Sequence, residues 1–188
     1  ALPIFNNVLN AKRLELAREL FPAARSFAYL ANPSNLREAR SVAAISEVAR
    51  SLNVEIHILN ASTVAELESA FAAAAKLRVA ALTASPEPFF DSQREKIVNL
   101  AARNAMPTVF AWREYVEAGG LLSYGTDLPD SYRQAAIYAA RVLKGDNPAE
   151  LPVIQPSKFH VALNLKTARA LGIEPPTSIL LRADEVIE

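Results

Sequence analysis

The chain has 188 residues, with 20 Lys+Arg against 20 Asp+Glu, 51% hydrophobic residues and no Cys. That length buries a full core, and zero net charge argues against nucleic-acid or membrane-surface partners, which need a surplus of cations. Without Cys there are no disulfides, Cys-ligated zinc, iron–sulfur clusters or thiol catalysis. No apolar run reaches the ~18 residues of a membrane span. No basic-then-apolar leader precedes Ala1, so the expectation is a processed or excised chain.

Residues 8–20 place Leu9, Leu14, Leu16 and Leu20 among charges, which predicts an amphipathic helix ended at Phe21-Pro22. The bounded apolar run Phe27 to Ala31 reads as a buried strand, followed by Asn32-Pro33-Ser34-Asn35 and a helix over 36–52. Val54 to Leu59 is the next strand. Thr63 and Glu66 form a capping box that opens an alanine-rich helix to about Lys76. Arg78 to Ala84 predicts a third strand. Ser92 and Glu95 read as a second capping box, for a helix reaching Asn104. Pro107 to Ala111 and Leu121 to Tyr124 complete the strands, and Asp127 caps a helix to Leu143 that Gly145 stops. Strands alternating with helices predict an α/β fold, a parallel sheet of about five strands flanked by helices. After Lys144 the rhythm breaks into a proline-punctuated C-terminal tail, with one strand-like run (Phe159 to Leu163) and a short helix from Lys166 to Leu171.

In open α/β sheets a ligand lies beyond the carboxyl ends of the strands. Here those ends carry Asn32 and Ser34, Ser85 and Glu87, Trp112 and Arg113, and Tyr124 and Asp127. Amides, hydroxyls, aromatics and a few charges suit a small polar or aromatic molecule. Each also has a structural reading: Asn32, Ser34 and Asp127 as helix caps, Phe89 and Phe90 as staples, Arg113–Glu114 as a surface pair. The five glycines form no phosphate loop, and G-x-S-x-G and H-E-x-x-H are absent. His57 and His160 fall inside strands and read as structural. No catalytic residue, metal site or cofactor is expected.

The run Glu117 to Gly125 (EAGGLLSYG), followed by Asp127, Leu128, Asp130, Tyr132 and Arg133, resembles the ABC-transporter substrate-binding protein family, of the type I periplasmic-binding-protein superfamily. Val142-Leu143-Lys144-Gly145, Leu151-Pro152-Val153, Gln155 to Phe159, Asn164 to Ala168, Leu171-Gly172 and Leu180 to Glu188 extend the likeness, with Lys12 to Leu16 and Asn32 to Asn35 upstream. The resemblance implies a Rossmann-like lobe that is the second of two, hinged about a small organic solute such as an amino acid. It implies an ABC permease as partner and a periplasmic or extracytoplasmic location. On this division residues 1–126 form the ligand-binding lobe, and 127–188 a helix and tail that would pack on a first lobe preceding Ala1. The same strand ends would also serve a small α/β enzyme or a ligand-sensing regulatory domain. The apolar stripe Tyr132, Ala135, Ala136, Ala139 and Leu143, with the apolar tail, leads to the expectation of a homodimer through helix 127–143 and the tail.

Overall fold

A computed structural model describes residues 2–152 and 158–188, and of residues 2–8 and Leu128 the backbone only. Val153 and Gln155 to Ser157 of the predicted tail lie outside the described residues. The elements are α1 (Leu2–Leu20), β1 (Ser26–Ala31), α2 (Glu38–Ser51), β2 (Glu55–Asn60), α3 (Val64–Leu77), β3 (Leu82–Ala84), α4 (Pro88–Ser92) and α5 (Arg94–Arg103). There follow β4 (Thr108–Phe110), α6 (Arg113–Glu117), β5 (Leu122–Thr126), α7 (Leu128–Leu143), β6 (Phe159–Asn164), α8 (Leu165–Ala170), α9 (Thr177–Leu180) and β7 (Glu185–Ile187).

Among the described residues these strands make one seven-stranded sheet, ordered β2-β1-β3-β4-β5-β6-β7. Strands β1 to β5 pair in parallel, β6 runs antiparallel to β5, and β7 is parallel to β6. Alternation along β1 shows why its strand is apolar throughout: Ala28 and Leu30 join one core with α3, α4 and α5, while Phe27, Tyr29 and Ala31 join the other with α1, α2, α8 and α9. Both faces are covered, which removes the polar alternation of a half-exposed strand.

The capping box at Thr63 and Glu66 forms as expected. The second one does not. Glu87 caps α4 instead, accepting from the Phe90 N–H at 3.0 Å, with Pro88 beginning the helix, and Ser92 Oγ is turned back onto the Phe89 carbonyl. Proline in a first helical turn, where its missing N–H is no loss, outcompetes the later start.

In the tail the strand-like run forms β6 and the short helix forms α8, as expected. Strand β6 joins the sheet beside β5, β7 follows it, and Val161, Leu163, Ala168 and Ile179 are buried in the core beside β5 and α1. An edge strand β5 left with open N–H and C=O groups is satisfied by the chain's own β6. Most of the tail's apolar residues thereby have an intramolecular home, while Leu181 stays 82% exposed. Helix α7 behaves differently. Tyr132, Ala135, Ala136, Ala139 and Leu143 are all exposed, Leu143 at 88%.

Candidate solute-binding edge

Strand order places a topological switch between β1 and β3: the chain turns to one side for β2 and to the other for β3. In open α/β sheets the loops that diverge at such a point can leave a crevice at the carboxyl edge. Asn32 and Ser34 follow β1, and Ser85 and Glu87 follow β3, so both flank the switch.

Their side chains bind one another. Asn32 Nδ2 donates to Glu87 Oε2 at 3.1 Å, while Asn32 Oδ1 accepts from the Ser34 N–H and from Ser62 Oγ, both at 3.0 Å. Ser85 Oγ donates to Glu38 Oε2 at 2.7 Å. Asn32, Ser85 and Glu87 are buried and shape the loops, and only Ser34 of this group is exposed. The cause is local. Each is the nearest polar partner for a capped helix start or a turn, and buried polar groups must be paired.

Burial raises the Glu38 carboxyl above its ordinary range, with Glu87 adding repulsion against the hydrogen bonds from Ser85 and Tyr29. Asp91 is raised too, again chiefly by burial, although Tyr115 and Trp112 donate to it. Neither Glu38 nor Asp91 was singled out from sequence. An acid in a first helical turn reads as a dipole complement, and only the fold reveals that Glu38 reaches across to Ser85, 47 positions away.

The second group lies over β4, β5 and β6. A pocket there is lined by Ala111, Arg113, Glu114, Gly125, Thr126, Asp127, Pro129 and His160. Arg113 sits at its wall, but its guanidinium is forked onto Glu185 of β7 at 2.9 and 3.0 Å and also reaches Glu117 at 2.9 Å. The fork on Glu185 raises the Arg113 pKa further. Nothing local foretold it, since Glu185 is 72 positions distant. Asp127 Oδ1 accepts from the Asp130 N–H at 2.9 Å, the predicted cap. Half-buried Tyr124 stacks on Phe159 with ring centroids 5.9 Å apart, and half-buried Trp112 packs against the core. His57 pairs with Ser26 Oγ at 2.9 Å, away from this edge. His160 is part of the pocket wall, because β6 is antiparallel and brings its first residues to this edge.

Gly125 explains the close approach of the strands here. A Cβ on it would lie 1.9 Å from the Ala111 carbonyl oxygen. The pocket floor therefore requires glycine at this position.

A doubly covered, mostly parallel sheet with polar loops along one carboxyl edge is an α/β fold of the type I periplasmic-binding-protein kind. The chain belongs to the ABC transporter substrate binding protein family, whose model matches residues 4–187. It is 23% identical over 163 residues to a tyrosine-binding protein of Clostridioides difficile (strain R20291), covering 87% of this chain and 47% of that one. A conserved domain protein from Vibrio cholerae superposes with TM-score 0.85 at 26% identity, covering 94% of this chain and 60% of the other. An ABC domain in complex with L-Trp from Streptococcus pneumonia superposes with TM-score 0.84 at 24% identity, over 95% of this chain and 62% of the other. The chain thus spans about half of the curated relative and three-fifths of these structures.

Proposed function

We propose that this chain is the second lobe of an extracytoplasmic solute-binding component of an ABC uptake transporter, without catalysis, and that its solute is an amino acid. The observation that carries the reading is a pocket over β4, β5 and β6 on the same carboxyl edge as the topological switch, within a chain that covers only part of its relatives' length. Two of those relatives bear the names of aromatic amino acids, one as a tyrosine-binding protein and one in complex with L-Trp. In this reading Ser34, Trp112, Arg113, Tyr124 and Asp127 meet the solute, while Asn32, Ser85 and Glu87 hold the loops that present them. The Asp127 carboxylate receives the solute's ammonium. An ABC permease is the partner of the whole protein.

In this reading the opposite wall of the cleft is a first lobe in the part of the relatives' length that this chain does not cover, and α7 packs on that lobe.

Calorimetric titration with L-tryptophan and L-tyrosine, on protein carrying both halves, tests the reading. Asp127→Asn should weaken binding by roughly 10- to 100-fold, the worth of a charge-assisted hydrogen bond. Unchanged affinity would reduce Asp127 to a helix cap, and absence of binding by either amino acid would remove the solute class.

A further inference from the structure

We propose that Arg13 is a positioning residue for the pocket: its buried guanidinium holds the Tyr124 carbonyl where strand β4 leaves β5, and so fixes the pocket wall to helix α1. The proposal rests on the solute-binding reading above for its functional meaning, but its geometry stands independently.

The β4–β5 ladder ends at Phe110↔Ser123, one residue short of Tyr124. From there the chain after β4 diverges toward Trp112 and α6, opening the mouth lined by Ala111 and Gly125. Just beyond the end of the ladder, Arg13 Nε donates to the Tyr124 carbonyl at 2.8 Å, across 111 positions of sequence. Arg13 is 1% exposed and makes no ion pair among the described residues. Burying a guanidinium without a carboxylate is costly unless its donors are used. Its Nη1 donates to Asn10 Oδ1, and Asn10 Nδ2 in turn donates to the Tyr29 hydroxyl at 3.1 Å. The guanidinium is therefore held from behind by α1 and β1 while its Nε points at the end of β5. The planar fork makes that direction rigid in a way that an ammonium would not.

Three residues past Tyr124 the pocket wall reaches Asp127, which caps α7, and it continues to Pro129. On the other side, among the described residues, the β6 ladder from Thr126↔Phe159 inward and the Asp127 N–H on the Lys158 carbonyl restrain this stretch. Arg13 is thus the link that ties the pocket wall to the helix through which the chain enters the lobe.

Hydrogen exchange on the 188-residue chain tests the link without any ligand. In Arg13→Met, amides of residues 124–130 should exchange about tenfold faster, the loss expected for a hydrogen bond from a charged donor. Amides of β1, β2 and β3 should keep their rates, and Arg13→Lys should fall between the two. A uniform acceleration over the sheet, or no change at 124–130, would overturn the proposal. If Arg13→Met does not fold, Arg13→Lys decides by the same local pattern. A second arm measures L-tryptophan affinity in protein carrying both halves. There Arg13→Lys should weaken binding severalfold with the Trp112 fluorescence of the unliganded protein unchanged. Failure of the wild-type protein to bind would count against the solute reading, while the exchange pattern still judges the clamp. Faster local exchange with unaltered affinity would overturn the positioning role.

Discussion

Helices α3 and α7 begin with the same chemistry and end in opposite surroundings. Each has a side-chain cap, Thr63 on α3 and Asp127 on α7, and each carries an apolar stripe at helical spacing. On α3 the stripe of Leu67, Ala70, Phe71 and Ala74 is buried against the sheet. On α7 the stripe faces outward, with Tyr132 74% and Leu143 88% exposed. What ties α7 to the rest is chiefly the Asp127 N–H to the Lys158 carbonyl and the Tyr138 hydroxyl to the Pro152 carbonyl. An isolated helix of this length is marginal in water. An amphipathic pattern states that a face must be covered; it does not state by what.

The difference is sharpest for core truncation. Phe71→Ala removes a fully buried ring from α3 and should cost ~3–5 kcal/mol in urea unfolding, whereas Leu143→Ala on α7 should stay within ~0.5 kcal/mol. A comparable loss from both would mean that α7 is packed in solution by something the chain itself provides. Next comes Gly125→Ala. The added methyl meets the Ala111 carbonyl oxygen, so β4 and β5 must separate locally, at ~1–3 kcal/mol. That cost falls on the lobe, leaving the helicity of α7 untouched.

Carboxylates supply a smaller test. Burial raises Glu38 and Asp91, so both favour the neutral form in the folded state. Their contribution to stability is fully present below the unfolded carboxylate values, ~3.9 for Asp and ~4.3 for Glu. It is lost as pH rises through the folded values. Glu38→Gln should therefore flatten the decline in the urea midpoint between mildly acidic and neutral pH, and stabilise the neutral protein. A steeper decline in the variant would reverse the sign assigned to Glu38.

The apolar bounded runs made β1 to β5 legible, since strands covered on both faces need no alternation and carry their own signal. Their carboxyl ends gave the correct edge for Asn32, Ser85, Trp112 and Asp127. The state of the side chains was not legible. Asn32 and Glu87 quench each other across 55 positions, and Arg113 is taken by Glu185 of a strand too short to announce itself. The tail was legible in part. The run Phe159 to Leu163 signals β6 by itself, but its pairing with the open edge of β5 and the added strand β7 are set by the sheet rather than by the tail's own sequence.

The smallest effect separates the two helices most cleanly, because it removes from each the cap they share. Thr63→Ala deletes the acceptor for the Glu66 N–H and half of a reciprocal cap. It should lower global stability by ~1 kcal/mol, since α3 cannot fray without exposing Leu67 and Phe71. Asp127→Ala deletes the acceptor for the Asp130 N–H and should weaken α7 by a similar ~1 kcal/mol. In the chain alone, however, fraying of α7 exposes little that is not already exposed, so the urea midpoint should barely move. The change should appear instead as a loss of helical circular dichroism before the main transition. With the covering partner present, the same substitution should join the global transition and shift its midpoint as Thr63→Ala does. If Asp127→Ala shifts the midpoint fully in the chain alone, α7 is already coupled to the lobe, and the contrast with α3 is lost.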